Sequence, residues 1–232
     1  SVVSKVYWDG LTQVITEWED GSIVKSEKML CAAGRVANIK DLKIENAGLQ
    51  LNERGLISVD SELKTQVAHI YAAGDVIGPP SLASASMEQG RRASCNALGI
   101  EVGQMSQTIP SGIYGIPELS AIGLSEEQAI EQFGKVTVGK ACFNEIARGH
   151  ISGVEEGMLK IICDAEGRKI LGIMIAGEGA TELIHIGQMA ILSAANVDIF
   201  VESVFNFPTL AEAYRVAALS IIGQRAKDND VY

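Results

Sequence analysis

The chain has 232 residues, a formal net charge of −10 at pH 7, and 47% hydrophobic against 21% charged residues. This composition is typical of a globular protein, and the length suffices for one large domain or two smaller ones. The negative charge argues against nucleic acid or an anionic membrane as the main partner. No apolar run approaches the roughly 20 residues of a membrane-spanning helix, and no signal peptide is recognisable, so we expect a cytoplasmic protein.

The cysteines and histidines form no sequence-local metal or redox motif. Cys31, Cys95, Cys142 and Cys163 lie far apart, and no two have the spacing of metal ligands or of a redox pair. Three of the four lie in apolar runs, so we expect buried thiols in a reducing compartment rather than disulfides. The three histidines are also dispersed, and we expect no metal site.

Residues 1–33 are predicted to form a β-meander. Asp9-Gly10 and Asp20-Gly21 are dipeptides typical of hairpin turns, and the runs around them are rich in Val, Ile, Trp and Thr. A further uninterrupted apolar run, at 29–33, ends at Gly34-Arg35. Because the chain opens directly on this meander, we expect it to be part of a larger protein.

Residues 36–64 are irregular and polar, apart from a short predicted strand at 56–59. An apolar run that starts at Ile70 predicts a buried strand, which stops at Gly74-Asp75. A strand that ends in glycine and a carboxylate, with a helix just beyond, is typical of the ligand-facing edge of an α/β sheet.

The helix after this edge is predicted at 82–98, with Ser81 as its N-cap and Gly99 as its C′ residue. Gly90 lies in its middle and costs about 1 kcal/mol relative to alanine. We expect another backbone or a cofactor to approach the helix at that glycine.

A linker at 99–108 leads into a different region. Its predicted elements are a strand within 109–122, a helix from the capping box at Ser125 to about 133, strands near 135–143, 158–163 and 169–176, a helix at about 180–195, a final helix ending near 223, and a solvated tail at 226–232. Strands followed by helices predict an α+β domain.

Five motifs occur in a specific order along the chain. They are Ala-Ala-Gly-Arg-Val-Ala-Asn at 32–38, the segment 65–75 ending in Ala-Ala-Gly-Asp, Ser-Leu-Ala-Ser-Ala at 81–85, Tyr-Gly-Ile-Pro-Glu at 114–118 and Ile-Leu-Gly at 170–172. In this order they resemble the C-terminal half of the flavoprotein disulfide reductase superfamily. Neither Gly-x-Gly-x-x-Gly fingerprint of that family is present, and the resemblance places both in the N-terminal half.

The resemblance implies an α/β plus α+β fold, in which a partial, Rossmann-like FAD-binding domain precedes an α+β dimerisation domain. It assigns residues 1–30 to the end of the NAD(P)-binding domain, 31–106 to the FAD-binding domain and 107–232 to the dimerisation domain. The implied partners are FAD, nicotinamide dinucleotides and a second copy of the chain, bound through residues 107–232.

The same resemblance implies a set of cofactor-binding residues. Asp75 would accept hydrogen bonds from the ribityl chain of FAD, Gly74 would allow close backbone approach, and the helix amino end would face the flavin. The full set is Gly34, Arg35, Gly74, Asp75, Ser81, Leu82, Ala83, Phe207 and Pro208. On the residues alone, Asp75 could equally cap a turn and Ser81 a helix. No catalytic side chain is expected.

The motif at 205–209 distinguishes between chemistries within the superfamily. Members that exchange disulfides carry a histidine directly before Pro-Thr, where this chain has Phe207. A phenyl ring cannot transfer a proton, so dithiol chemistry is disfavoured. The segment 205–215 most resembles the soluble pyridine nucleotide transhydrogenases, which implies hydride transfer between NADPH and NAD by an enzyme of the Si-specific type.

Several alternatives stay open. The whole protein could be a reductase similar to dihydrolipoamide dehydrogenase, and the chain by itself could be an inactive dimerisation module. Phe207 could shield the flavin of a partner subunit or simply pack in an interface, and Thr-x-x-Glu at 209–212 predicts that Glu212 caps a helix. Arg215 could pair with a partner carboxylate or face solvent, and His185 is predicted to be a structural or interface residue.

Overall fold

The described part of the chain, residues 2–229 of a computed structural model, divides after Ile57 into two units. The predicted domain boundaries at 30/31 and 106/107 remain predictions. No helix within the described residues is long and apolar enough to cross a membrane.

The first unit contains the predicted meander. Strands β1 (Val3–Trp8), β2 (Val14–Trp18) and β3 (Ile23–Ser26) form an antiparallel sheet in the order β1-β2-β3. The first turn is stabilised by Asp9, whose carboxylate accepts the backbone N–H groups of Leu11, Thr12 and Gln13 at 2.8–3.0 Å. Both turn glycines have positive φ, as hairpin turns of this kind require.

Two predicted strands of the first unit do not form. Residues 29–33 have no strand structure, and Leu30 is 88% exposed. The segment 56–59 makes a single antiparallel bridge, between Leu51 and Ile57. An apolar run becomes a strand only where a neighbouring strand accepts its hydrogen bonds, and these runs lack one among residues 2–229.

The second unit begins with irregular chain. The predicted strand at 70–73 is also absent, since Tyr71 makes only one bridge, with Lys64. Short 3₁₀ turns cover Lys40–Leu42 and Ile44–Ala47 in the first unit and Asp75–Ile77 here.

Helix α1 (Ala83–Ala97) follows. Its carboxyl end is a Schellman motif, as predicted: Ile100 N–H donates to Cys95 O at 2.9 Å and Gly99 N–H to Asn96 O at 3.1 Å. The prediction for Ser81 is wrong, because the N-cap is Leu82 and Ser81 takes a left-handed conformation with φ 49°. No protein atom lies within 4 Å of a Cβ built on Gly90, so no described backbone explains that glycine.

The rest of the second unit is built around a five-stranded antiparallel sheet in the order β4-β5-β8-β7-β6. Its strands are β4 (Ser111–Ile113), β5 (Leu119–Gly123), β6 (Thr137–Cys142), β7 (Met158–Cys163) and β8 (Ile170–Ala176). The helices are α2 (Glu126–Phe133), α3 (Ala147–Ser152), α4 (Ala180–Leu192), α5 (Ile199–Glu202) and α6 (Glu212–Asn229). A 3₁₀ turn, Phe143–Glu145, follows β6.

The strands bury both faces of this sheet. Ile161 and Ile173 belong to the large core under α4 and α6, whereas Ile162 and Leu171 pack with Ala129 of α2. Helix α6 lies so close to β6 that a Cβ on Gly139 would overlap the carbonyl oxygen of Ala217. The predicted α+β domain is therefore confirmed.

The helix ends in the second unit match the predicted helix ends only in part. The capping box at Ser125 and Gln128 is complete, with both reciprocal hydrogen bonds present. Helix α6 extends past the predicted end near 223, so residues 226–229 of the predicted tail are helical, and Ala226 and Lys227 are exposed. The rest of that predicted tail, 230–232, lies outside the described residues.

The expectation of buried thiols is wrong for two cysteines. Cys31 and Cys142 are exposed, Cys95 is half-buried and Cys163 is buried, and all four are free. Cys142 ends the edge strand β6, where alternate side chains face away from the core, so an apolar neighbourhood in sequence does not bury it. Within residues 2–229 no group of three or more His, Cys, Asp or Glu residues could hold a metal ion.

Candidate functional site

Gly74 is packed against the middle of α1. Its N–H donates to the side-chain oxygen of Gln89 at 2.8 Å, and Gln89 is 5% exposed. Gly74 has φ 84°, and a Cβ there would lie 3.3 Å from Ser86 Oγ. The glycine therefore brings the chain onto α1 immediately before Asp75, in a conformation that other residues rarely adopt.

The residues that follow Gly74 lead to the amino end of helix α1. Asp75 is half-buried and begins a 3₁₀ turn, in which its carbonyl accepts the Gly78 N–H at 3.2 Å. The N-cap Leu82 has no side-chain acceptor, and the first turn of α1 contains no acidic residue. The first N–H groups of the helix and its positive dipole end are thus not compensated by a capping side chain of their own helix.

Gly34 and Arg35 lie in the first unit, apart in the chain from the other predicted cofactor residues. Both are exposed and belong to an irregular segment, and Gly34 has φ 112°. Gly74, Asp75, Ser81, Leu82 and Ala83 all belong to the second unit, as do Phe207 and Pro208.

Phe207 and Pro208 lie in the loop before α6, and Phe207 is 74% exposed. This loop is held by Thr209, whose hydroxyl donates to Asn206 O at 2.8 Å and whose N–H donates to the Glu212 carboxylate at 3.2 Å. Glu212 therefore supplies its half of the predicted capping box, while the Thr209 hydroxyl turns to the loop instead.

Two other residues considered from the sequence face outward. Arg215 is exposed and makes one long contact, from Nη1 to Ser203 O at 3.5 Å. His185 is exposed on α4, and its Nδ1 lies 2.8 Å from the side-chain oxygen of Gln188. The His185 contact lies within α4, whereas the Arg215 contact joins residues 12 positions apart.

Glu118, immediately before β5, fixes the start of α4. Its carboxylate accepts both the backbone N–H (3.1 Å) and the hydroxyl (2.8 Å) of Thr181, in the first turn of α4. The helix's own N-cap, Gly179, provides no side chain, so Glu118 acts as a tertiary cap 63 positions away.

The linker between α1 and the sheet is held by Arg92. Its guanidinium donates to Glu88 (2.7 Å), to Val102 O (2.9 Å) and to Gly103 O (2.7 Å). Glu88 also accepts two hydrogen bonds from Arg91, and these arginines lower the Glu88 pKa to about 2, Arg91 most strongly.

Sequence reasoning missed Gln89, Arg92 and Glu118. Gln89 could have been found, because Ala85, Gln89 and Ala93 recur at helical spacing on the buried side of α1, where a polar residue needs a partner. The pair of Glu88 and Arg92, four positions apart on α1, could also have been found. The contacts of Arg92 with the linker carbonyls and of Glu118 with Thr181 carry no local signal.

The residues of the second unit fit a flavin cofactor chemically. A glycine in an unusual conformation, a carboxylate and the amino end of α1 follow one another within Gly74–Ala83, and the side of α1 at Gly90 is open. Such a set offers both acceptors and donors to a ligand with ribityl hydroxyls and an electron-rich ring edge.

Two family descriptions match this chain. "Pyridine nucleotide-disulphide oxidoreductase" matches residues 2–90, and "Pyridine nucleotide-disulphide oxidoreductase, dimerisation domain" matches residues 109–218. The chain belongs to the pyridine nucleotide-disulphide oxidoreductase family. It combines part of the FAD-binding region with an α+β dimerisation domain, which confirms the predicted fold class.

Several curated relatives of this chain carry the same name. The chain is 46% identical over 218 residues to a protein named soluble pyridine nucleotide transhydrogenase from Hamiltonella defensa, covering 91% of this chain and 46% of the relative. Proteins of the same name from Marinobacter nauticus and Mycobacterium tuberculosis are 44% and 41% identical, over 89% and 93% of this chain and 45% and 46% of theirs. The chain thus spans about half the length of the curated relatives it matches.

Solved structures give the same family. LpdA from Mycobacterium tuberculosis aligns with a TM-score of 0.82 at 27% identity, over 94% of this chain and 47% of that one. The HOCl-induced flavoprotein disulfide reductase RclA from Escherichia coli aligns with a TM-score of 0.83 at 27% identity, over 94% and 50%.

Proposed function

We propose that this chain is one part of a cytoplasmic, FAD-dependent transhydrogenase of the Si-specific type, which passes hydride between NADPH and NAD. The observation that carries this proposal is the 41–46% identity, over about nine tenths of the chain, to relatives named soluble pyridine nucleotide transhydrogenase. Free thiols at all four cysteines agree with a reducing compartment.

Phe207 supports hydride transfer over dithiol exchange. The loop before α6 presents an exposed phenyl ring at this position, and no proton can be taken up or released there. Hydride exchange between two nicotinamides needs no protein acid or base, because the protein contributes alignment and electrostatics.

The residues Gly74–Ala83 would hold the cofactor. Bound FAD supplies an acceptor that takes up and returns a hydride. Asp75 would accept hydrogen bonds from its ribityl hydroxyls, Gly74 would leave room for the backbone to approach, and the amino end of α1 would stabilise negative charge on the ring. Gly34, Arg35, Phe207 and Pro208 complete the proposed set.

A homodimer through residues 107–232 is the second part of the proposal. The family description that matches 109–218 is that of a dimerisation domain. Large apolar side chains are exposed in the same region, including Tyr114 (83%), Val204 (95%) and Phe207 (74%). Apolar surface of this kind is typical of a face that a partner covers.

The activity is tested on a protein extended to the length of the curated relatives. We expect reduction of a thio-analogue of NAD by NADPH and no reduction of lipoamide. The matched variant Phe207→His introduces an imidazole into the loop before α6. It should leave hydride transfer between the two nucleotides unchanged. Rapid lipoamide turnover by the unmodified protein would instead favour a reductase similar to dihydrolipoamide dehydrogenase.

The 232-residue chain is tested separately. We expect it to be inactive and to lack a stoichiometric flavin absorbance after reconstitution, because half of the cofactor site is supplied elsewhere. Light scattering at micromolar concentration should give the mass of a dimer. A monomer, or a full complement of flavin, would contradict the corresponding part of the proposal.

A further inference from the structure

A buried glutamine, Gln89, lies in the middle of α1. It is 5% exposed, and the other buried residues of this helix, Ala85 and Ala93, lie one turn before and one turn after it. Burying a primary amide is unfavourable unless its polar atoms have hydrogen-bond partners. A leucine or an alanine would fill this side of the helix without such a need, so the amide indicates a specific contact.

The side-chain oxygen of Gln89 accepts the backbone N–H of Gly74 at 2.8 Å. Gly74 is buried, and residues 70–73 before it form no strand. Within the described residues, no neighbouring strand therefore supplies this N–H with an acceptor. The acceptor comes instead from a helix side chain, 15 positions further along the chain.

The turn of α1 before Gln89 also contacts this glycine. A Cβ on Gly74 would lie 3.3 Å from Ser86 Oγ, and the Ser86 hydroxyl donates to Leu82 O at 3.0 Å. Residues three positions apart lie on the same side of a helix, so Ser86 and Gln89 form one contact surface for Gly74. The glycine is thus held by two neighbouring turns of α1.

The contact with Gln89 fixes both ends of the segment 75–82. This segment begins at Asp75, directly after Gly74, and ends at Leu82, the N-cap of α1. Gln89 therefore binds the residue before the segment to the helix after it. A segment whose two ends are held has fewer conformations available, so the backbone at Asp75 has a defined position relative to the amino end of α1.

We propose that Gln89 is a positioning residue for FAD. It holds the backbone at Asp75 and the amino end of α1 in the relative position at which one flavin can contact both. The inference rests on the proposed function, which assigns the first of these groups to the ribityl hydroxyls and the second to the flavin ring. In this role Gln89 acts through Gly74. A neutral amide suits the position, because it accepts the N–H without burying a charge.

Three variants isolate this hydrogen bond. Gln89→Met removes the acceptor and keeps an unbranched side chain of similar length, whereas Gln89→Glu keeps an acceptor. Asn96→Leu is the matched control, because Asn96 Nδ2 donates to a backbone carbonyl, Glu62 O, at 2.8 Å from the opposite end of α1. If Gln89→Met does not fold, Gln89→Asn replaces it with the same expectations, since its amide is one methylene too short to reach Gly74.

Hydrogen exchange of the Gly74 amide, followed by NMR on the 232-residue chain, tests the contact without any cofactor. We expect Gln89→Met to speed up this exchange by about tenfold or more, and Gln89→Glu to speed it up less. Asn96→Leu should leave it unchanged. Unchanged exchange in Gln89→Met would overturn the proposal, because the position of Gly74 would not then depend on Gln89.

The affinity for FAD is measured on the protein extended to the length of the curated relatives. The cofactor is removed and added back, and its binding is followed by flavin fluorescence. Gln89→Met should weaken binding by about tenfold or more, because the two groups that contact the flavin are no longer held together. Gln89→Glu should retain most of the affinity, and Asn96→Leu should retain all of it.

The possible failures are distinguishable. An unmodified extended protein that binds no FAD would overturn the proposed function and this inference with it. If the unmodified protein binds FAD and Gln89→Met binds it equally well, the role of Gln89 alone is overturned. A loss of affinity that Asn96→Leu shares, or that Gln89→Glu does not lessen, would also overturn that role. The loss would then come from general destabilisation of α1 and not from the missing acceptor.

Discussion

The hydroxyl of Tyr214 in α6 is bonded to one turn of α4, where it accepts the backbone N–H of Gly187 at 3.1 Å. It also donates to the carbonyl of Leu183, four residues earlier, at 2.8 Å. Tyr214 is fully buried, and burial raises its pKa well above the usual range, so the hydroxyl keeps its proton. The two long helices are thereby joined by a polar contact inside an apolar core.

Tyr214→Phe tests this contact. The change removes both hydrogen bonds and leaves two helix groups of α4 without that partner, so we expect a loss of about 1–3 kcal/mol in the free energy of unfolding. Urea denaturation followed by circular dichroism measures it. Tyr7→Phe is the control, because the Tyr7 hydroxyl donates to Glu17 in a solvent-exposed contact and its loss should cost little. Equal stabilities of the two variants would contradict the role of the buried hydroxyl.

Gly187→Ala and Gly223→Ala form a matched pair of helix glycines. A Cβ at Gly187 would overlap Ile173 Cδ1 and lie 2.9 Å from Tyr214 Oη, whereas one at Gly223 would meet nothing within 4 Å. We expect Gly187→Ala to destabilise by about 1–3 kcal/mol through overpacking. Gly223→Ala should stabilise by up to about 1 kcal/mol through helix propensity. Thermal melts of both variants measure these changes in stability. A Gly187→Ala protein as stable as the unmodified chain would contradict the expected overpacking and show that the α4–α6 contact can relax.

The ion pair between Asp198 and Arg225 makes stability depend on pH. The hydrogen bonds from Arg225 lower the pKa of Asp198 below its ordinary 3.8. A carboxyl group whose pKa is lower in the folded state stabilises the fold above its unfolded pKa, and this contribution disappears as the pH falls through the folded pKa. We therefore expect Asp198→Asn to be less stable than the unmodified chain at pH 7.

The difference in the free energy of unfolding between Asp198→Asn and the unmodified chain should shrink as the pH is lowered from about 5 towards 2. Urea titrations across that range measure it, and added salt should also reduce it at pH 7, since the pair is partly exposed. A difference that does not change with pH would show that Asp198 acts through packing and not through its charge.

Thiol reactivity should separate the four cysteines. Burial raises the pKa of Cys163 to about 12, so almost no thiolate is present at pH 8. A disulfide reagent such as DTNB should modify the exposed Cys31 and Cys142 rapidly, Cys95 more slowly and Cys163 only after unfolding. Cys142→Ser should remove one fast equivalent, and Cys163→Ser should remove none. A fast phase that is lost in Cys163→Ser would mean that β7 opens in the native protein.

Local patterns account for much of what could be predicted. The meander turns at Asp9 and Asp20, the capping box at Ser125 and the Schellman glycine Gly99 follow from interactions between residues close in sequence. Alternation and helical spacing place β6 to β8 and α4 correctly within a few residues, because each of these elements has one face against a core.

The sequence by itself determined the family, since the motifs from Gly34 to Pro208 occur in one specific order and each depends on local backbone or side-chain chemistry. Only the tertiary structure decided which apolar runs become strands. Residues 29–33 and 70–73 have the composition of strands. Neither forms one, because among residues 2–229 neither has a neighbouring strand that completes its hydrogen bonds. It likewise decided the partners of Gln89, Glu118 and Tyr214, because each hydrogen bond joins groups 15 to 63 positions apart. Contacts over such separations depend on how whole elements pack, and no spacing rule along the chain encodes them.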